Sequence, residues 1–527
     1  MLFSSRWFSV KAGLAKYISP LLTSIVVVVS ASYVDAQPEA KSETPFAALN
    51  PRAQSLLTAS MHFSDGYYDA RVALLWSPAP EDSAAGESRK HRVRESAWYA
   101  LGLLVRDQPG DQKIALCIFN AILAEQIDAP GHAWDGTFYR WPEEPPVPPN
   151  AGMWTQFDPN WRQFIGCTFA LAMETCGSKI PMGLQERMHR AILHAVEGEI
   201  HQGRLTASYT NIALMHAWLL AYSGQHAQRP ELVVKGEQLA QAIKAGFQEH
   251  GTFEEYNSPT YYGVDFYGLA LWRAHPPTPL FRQLSADMEA GLWKDVAAFY
   301  HAGLKNICGP YDRTYGMDMR HYVALTGLWL SLSLEPNLVP LPNPSGSMAH
   351  AHDFVYGICF ALLGTEIPAE AKEHFERFRG ERFVTRKLPG DRVATAWLAD
   401  KIMLGGEYTA HNRAAGVPLS QLVPASAHWL TPTGDVGWIG VKNSPRCDAH
   451  AEKNSIEIKG VGDFVLRICV KGLDATQLVR GSWKLPGLLV QIETDAVDFA
   501  VQPGDGFTDI HYKEATKIIL RTAVDRS

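Results

Sequence analysis

Apolar residues recur three or four positions apart in ten stretches of this chain: Val93 to Val105, Asp111 to Ile127, Asn160 to Thr175, Leu184 to Val196, Thr206 to Tyr222, Leu232 to Phe247, Tyr261 to Arg273, Ser285 to Phe299, Met319 to Leu334 and Ala351 to Leu363. That spacing gathers them on one face of a helix. With weaker starts at Asn50 and Glu370, residues 45–379 predict roughly a dozen helices. Some of the connecting loops are short, and others are long and rich in Pro, Trp, Asp and Arg. The long ones (His132 to Asp158, Glu249 to Thr260, Asn306 to Asp318) fall at alternate helix junctions. A double ring of helices, an (α/α) toroid, predicts this alternation, with inner helix ends opening on one face where functional loops gather. A solenoid of helical pairs would give the same helix count, but no repeat of fixed period is present.

Beyond Glu381 the pattern changes to period-two or short apolar runs between Gly and Pro turns: Val436 to Val441, Ser455 to Lys459, Phe464 to Ile468, Leu488 to Ile492 and Thr516 to Leu520. These predict an antiparallel β-sheet domain over residues 380–527, ~145 residues, an ordinary domain size. The expected class is α+β, a toroid followed by a sheet.

The first 36 residues carry Arg6, Lys11 and Lys16, then an apolar run from Leu21 to Ala31, then Val34-Asp35-Ala36. This is the layout of a secretory signal peptide, with residues 37–44 as a linker and a secreted or periplasmic destination. An uncleaved anchor is the competing reading, although the run is shorter than the ~20 residues that span a bilayer. The chain of 527 residues has a net charge of −7, with 20% of residues charged. It lacks the basic excess of a general nucleic-acid binder. Seven widely spaced cysteines without a Cys-x-x-Cys pair read as buried small hydrophobes rather than a disulfide framework or zinc site.

The chemistry concentrates in the long loops. Gly251 to Asp265 packs carboxylates, an amide and three tyrosines around Pro259 at the start of an apolar helix. Unpaired buried polar groups cost roughly 1–3 kcal/mol each, so such a cluster reads as the floor of a polar cleft. Asn257, Tyr261 and Asp265 are its candidates. The loop around His132, Trp134, Asp135 and Arg140 suits a sugar, whose faces stack on indoles. In Phe157 to Gly166, Trp161 accompanies Arg162, a cation in the first helical turn, where with the helix end it would attract a carboxylate; a salt bridge to Asp158 or Glu255 is the plainer alternative. Arg313, Tyr315 and Asp318 lie in a third polar loop. Asn211 either projects from its helix into the ring's centre or merely caps that helix. No phosphate loop, Gly-x-Ser-x-Gly elbow or His-Glu-x-x-His is present. His301, His350, His352 and Asp353 are possible metal ligands, though histidines beside helix starts are more often structural. No cofactor or metal is expected.

Arginine and asparagine donors to a carboxylate, plus a tyrosine hydroxyl, equip a site for β-elimination on a uronic acid. Neutralising the carboxylate stabilises the enolate-like intermediate. A tyrosine beside a cation could ionise below its usual ~10, take the C5 proton and leave a 4,5-unsaturated sugar.

The order of toroid and β domain, with Glu255-x-Asn257-Ser258-Pro259-x-Tyr261 at a helix entrance, resembles the polysaccharide lyases of the heparinase II/III and alginate lyase type. Phe157 to Arg162, Tyr256 to Tyr261 and Gly309 to Asp318 are similar, more narrowly, to lyases that cleave rhamnosyl-glucuronate caps of plant arabinogalactan gums. The resemblance implies Tyr261 as base or acid, Asn211 and Arg162 as carboxylate neutralisers, and His132 as a second proton-transfer group. Trp134, Trp161, Asn257, Asp265, Arg313, Tyr315 and Asp318 are the candidates from the loops to bind an acidic polysaccharide or oligosaccharide. Ile212 departs from the pattern, standing where a second polar residue often follows the helix Asn. Two other readings stand beside it: a toroid glycoside hydrolase with paired carboxylates among Asp158, Glu255, Asp265, Asp312 and Asp318, and an exported carbohydrate-binding protein without chemistry.

Overall fold

Buried and exposed positions sort the helices into two shells. The computed structural model describes residues 45–77, 90–343, 348–409, 421–442 and 445–525; the expected leader and linker lie outside them. Among the described residues the helices are α1 (Pro51–Asp65), α2 (Val93–Arg106), α3 (Asp111–Ala124), α4 (Trp161–Cys176), α5 (Met182–Gln202), α6 (Thr210–His226), α7 (Pro230–His250), α8 (Tyr261–Ala274), α9 (Pro279–Phe299), α10 (Leu325–Ser331), α11 (Gly357–Leu363) and α12 (Ala369–Glu376). In α6, 15 of 17 residues are buried, whereas α7 buries only 6 of 21. The first is therefore an inner helix, the second an outer one with a single apolar stripe.

Packing follows that division. α2 contacts α4, α4 contacts α6, α6 contacts α8, α8 contacts α10 and α11, and α11 returns to α2, closing the inner ring. α3, α5, α7 and α9 each lie outside the inner helix that precedes them in the chain. The outer helices have clear punctuation: Pro230 and Pro279 occupy first-turn positions, and Gly203 and Gly251 end α5 and α7 at positive φ. The helix expected over Met319 to Leu334 is shortened to α10. Asp318 Oδ1 accepts from Arg320 N at 2.9 Å and Val323 N donates to Ala349 O at 3.0 Å, diverting the backbone before the helix begins. Ala351–Tyr356 is a 3-10 turn leading into α11. All seven cysteines are free thiols, and Cys117 is exposed rather than buried.

The second half is an antiparallel sheet of twelve strands: β1 (Arg382–Leu388), β2 (Arg392–Ala399), β3 (Ile402–Tyr408), β4 (Ala425–Leu430), β5 (Val436–Lys442), β6 (Asp448–Glu452), β7 (Ser455–Cys469), β8 (Leu478–Val479), β9 (Ser482–Leu485), β10 (Leu488–Thr494), β11 (Asp498–Pro503) and β12 (Thr508–Val524). The order is β8-β9-β10-β12-β7-β5-β4-β3-β2-β1, with β6 beside β7 and β11 beside β12. The runs at Ser455 and Phe464, read as separate strands in the sequence, are one strand, β7, whose register shifts at Gly462.

The helices and the sheet cluster as one unit. Tyr311 and Val423 exchange backbone hydrogen bonds of 3.0 and 2.9 Å, and Thr314 N donates to Gln421 O at 2.9 Å. Gly405 on β3 lies against Gly309 O so closely that a Cβ would overlap it. The sheet therefore holds the 309–318 loop from beneath. No described helix is long and apolar enough to cross a membrane.

Candidate active site

A cleft of about 740 Å³ opens where the inner helices' ends meet the 309–318 loop and the sheet. That volume falls within the ~300–1,000 Å³ range of small-ligand sites. Tyr261, the first residue of α8, faces it because of the four residues before its helix. Asn257, at φ 50°, donates through Nδ2 to Cys308 O at 2.6 Å and Pro310 O at 2.7 Å, stitching two loops together. Ser258 Oγ accepts from Tyr261 N at 3.1 Å, capping the first turn, and donates to Arg313 O at 2.5 Å. One hydroxyl thus fixes the start of α8 against the strand of loop that carries Arg313.

The Arg313 guanidinium lies 3.7 Å from the Tyr261 ring centroid and donates through Nη2 to its hydroxyl, through Nη1 to Glu255 Oε1 at 2.6 Å and through Nε to Gln421 Oε1 at 2.8 Å. Tyr261 and Tyr315 share a hydroxyl hydrogen bond, and the Tyr315 ring stacks on His350 at 4.3 Å. From the first turn of α6, Asn211 Nδ2 donates to Glu255 Oε2. The structure therefore brings Tyr261, Asn211, Arg313 and Tyr315 to one cleft.

Electrostatics alter one expectation. Burial pushes the Tyr261 phenol well above the usual tyrosine range; Tyr315 adds to the rise and Arg313 opposes it without overcoming it. The unliganded phenol keeps its proton rather than ionising early. Burial also raises Glu255 and Asp353 and lowers His352.

The remaining sequence candidates lie elsewhere. Arg162 is a correction: it is fully buried, and all five of its N–H groups are taken within the protein. Nε donates to Asp135 O at 3.0 Å, Nη2 to Ala133 O and Asp135 O at 2.7 and 2.6 Å, and Nη1 to Glu199 Oε2 and Gln202 Oε1 at 3.2 and 2.6 Å. It clamps the 132–136 loop and has no donor left for a substrate. His132 is exposed on that loop, stacked on Trp134 at 4.4 Å, and Trp134 packs with Ile127 and Phe157 in a small satellite core. Trp161 is core, beneath Arg94. Asp265 is fully buried inside α8, where burial raises its carboxyl well above normal. Asp318 pairs with Arg320 and His321. Asn257 acts through the loops it joins.

Several cleft residues were not singled out from the sequence. Arg94 and Arg92 come from the start of α2, Tyr209 from the residue before α6, Arg392 from β2, Gln421 from the segment before β4, and Trp154 from the rim. Trp154 is 46% exposed and sits at φ 66°, an unusual backbone state for a bulky residue. Arg94 carried the signal already noted for Arg162, a cation in the first turn of an inner helix. His350, His352 and Asp353 bring possible ligand atoms within 4.8 Å of one another. Arg94 Nη2 pairs with Glu95 Oε1 at 2.7 Å and stands 4.0 Å from Asp353 Oδ1, so arginines and carboxylates share this wall. His301, the other metal candidate, uses both ring nitrogens in the protein, Nε2 toward Ala399 O and Nδ1 toward Leu304 N.

The model of a domain of unknown function, DUF8769, matches residues 54–365, and that of a second, DUF8770, matches residues 385–505. No curated protein matches the sequence. Among solved structures the chain is similar to heparinase III, at 10% identity over 93% of this chain and 87% of that one with a TM-score of 0.41. It is also similar to the Streptomyces coelicolor A3 chondroitin AC lyase in complex with chondroitin sulphate, at 11% identity over 91% and 80% with a TM-score of 0.47. Endoglucanase CelQ from Clostridium thermocellum matches at 9% identity over 90% and 93% with a TM-score of 0.28.

Proposed function

We propose that this chain, which belongs to the family of the domain of unknown function DUF8769, is a secreted polysaccharide lyase that cleaves a uronic-acid-containing glycan by β-elimination. The observation that carries the reading is the meeting of Tyr261, Arg313, Asn211 and Arg94 in one cleft. A phenol under a guanidinium, an amide donor and an arginine-rich wall match what elimination beside a carboxylate demands.

The steps follow from the resting protonation states. The substrate carboxylate lies against Asn211 and Arg94, which replaces Arg162 in this role. As negative charge develops on the enolate-like C5 and carboxylate group, these donors stabilise it. The imidazole of His350, one tyrosine ring away from Tyr261, takes the C5 proton, replacing His132. The C4–O4 bond breaks as the C4–C5 double bond forms, and the Tyr261 phenol, which carries its proton at rest, gives it to O4. His350 gives its proton to solvent in the open cleft and Tyr261 regains one from the same solvent, which resets both groups. Trp154 offers an exposed indole for a flanking sugar ring. The rhamnosyl-glucuronate ends of arabinogalactan are the preferred substrate class.

The test is a panel of gum arabic, alginate, heparin and pectin, followed by near-ultraviolet absorbance and product mass. An unsaturated product from one of them is the expected result. Products heavier by one water would instead assign a hydrolase working through cleft carboxylates such as Asp158 and Glu254. Tyr261→Phe should lower kcat by roughly two or more orders of magnitude while leaving substrate affinity almost unchanged. Full turnover by that variant would remove Tyr261 from the mechanism.

A further inference from the structure

Glu255 holds a place in the cleft that the reaction above leaves without a role. It is 5% exposed, yet it lines the cleft and touches both halves of the site. Oε1 accepts from Arg313 Nη1 at 2.6 Å; Oε2 accepts from Asn211 Nδ2 and lies 3.4 Å from Asn211 N. The same guanidinium that Glu255 holds covers the Tyr261 ring and donates to its hydroxyl.

We propose that Glu255 is a positioning residue that couples the two halves of this site, fixing the amide of Asn211 and tempering the charge that Arg313 presents to the Tyr261 phenol. The proposal rests on the lyase reading for its meaning in catalysis, but its physical content stands on geometry. A carboxylate only accepts hydrogen bonds, so it dictates which end of the Asn211 amide faces it and leaves the second N–H of that nitrogen for a substrate carboxylate. The Glu255 carboxylate offsets part of the guanidinium charge over the Tyr261 ring, adding to the burial that keeps a proton on that phenol.

Other charged or titratable groups around Tyr261 act in the same field. Asp265 lies on its own helix, Tyr315 beside Arg313 on the 309–318 loop, Tyr209 before α6, and His350 behind Tyr315. None of them bridges Arg313 and Asn211 as Glu255 does.

The experiment is an alkaline ultraviolet titration of the full chain, with Tyr261 isolated by subtracting the same titration of the matching Tyr261→Phe protein. Glu255→Gln keeps the shape and removes the charge. The Tyr261 ionisation should then fall by roughly one pH unit or more, and the alkaline limb of the pH–rate profile should move with it. Glu255→Asp retains the charge but withdraws it from Arg313, and a smaller shift in the same direction is expected. It also serves as the readout if Gln at this position prevents folding. A residue with a merely structural role would reduce folded protein or melting temperature and leave the ionisation where it was; an unmoved titration in the folded variants overturns the proposal. If no polysaccharide yields an unsaturated product but the titration still moves, the lyase reading fails and the electrostatic role of Glu255 stands.

Discussion

Arg162, in the first turn of α4, and Arg313, in the loop that precedes α10, both come from polar stretches leading into inner helices, and the protein uses them oppositely. Arg162 places its whole fork on backbone carbonyls and on Glu199 and Gln202. Arg313 directs its donors at a phenol, a carboxylate and an amide that border open space. A buried arginine with every N–H answered is a loop clamp, and one whose partners themselves face a cavity belongs to a site. Residue type and position relative to a helix start do not separate the two; the partners do.

The same substitution at both positions sharpens this contrast. Arg162→Lys replaces five donors by three, leaving buried acceptors unanswered, and should destabilise the fold by about 2–4 kcal/mol. Thermal unfolding reads that loss, while kcat of the folded fraction should stay within about twofold of the wild type. Arg313→Lys keeps the charge but loses the planar cover over Tyr261, and a fall in kcat of about tenfold with little change in melting temperature is expected. A tenfold loss from Arg162→Lys with unchanged stability would reverse the assignment of the two residues.

A smaller effect concerns the contact between the helical part and the sheet. His301 donates from Nε2 to Ala399 O, and His428 from β4 donates from Nε2 to Met317 O, each at 2.8 Å. Burial lowers both imidazoles to about 4. An unfolded histidine titrates near ~6.5, so between that value and about 4 the unfolded chain binds protons that the folded chain refuses. Stability therefore falls as pH drops through this window and levels off below it, by at most about 3 kcal/mol per histidine. Comparing unfolding free energies at several pH values for wild type and His428→Gln checks the sign: the variant should show the shallower acid decline. Equal slopes would sink this account of the interface.

The smallest expected effect is at the rim. Trp154→Ala should raise KM by about tenfold or less and leave kcat nearly unchanged, as expected for loss of one stacking surface. A loss confined to kcat would place Trp154 in the chemistry instead.

The inner and outer helices were legible because burial writes a period into them; α2 begins at Val93 and α8 at Tyr261, where the apolar spacing begins. Less legible were places where tertiary contacts override local pattern, such as the diversion at Asp318 and the joining of two runs into β7. The site was half legible. Arg313 and Tyr315 occupy a dense polar loop and Tyr261 directly follows another, patterns that a sequence displays openly, while Asn211 stands out as an amide at the start of an apolar helix. Arg94, Arg392 and Gln421 come from unrelated segments that only folding assembles. The indole-rich loop around Trp134 misled because stacking on a neighbouring side chain and stacking on a sugar require the same residues.

Gln421 and Arg392 have a consequence for how the protein can be divided. Both reach the cleft from the sheet half of the chain, and the loop bearing Arg313 rests on Gly405 and Val423 of that same half. A fragment ending near residue 380 would keep the ring of helices and Tyr261 but lose one wall and the anvil under its key loop. Transplanting the ring alone onto another scaffold would carry over the residues without their alignment, so the smallest transferable unit of this chemistry spans both halves.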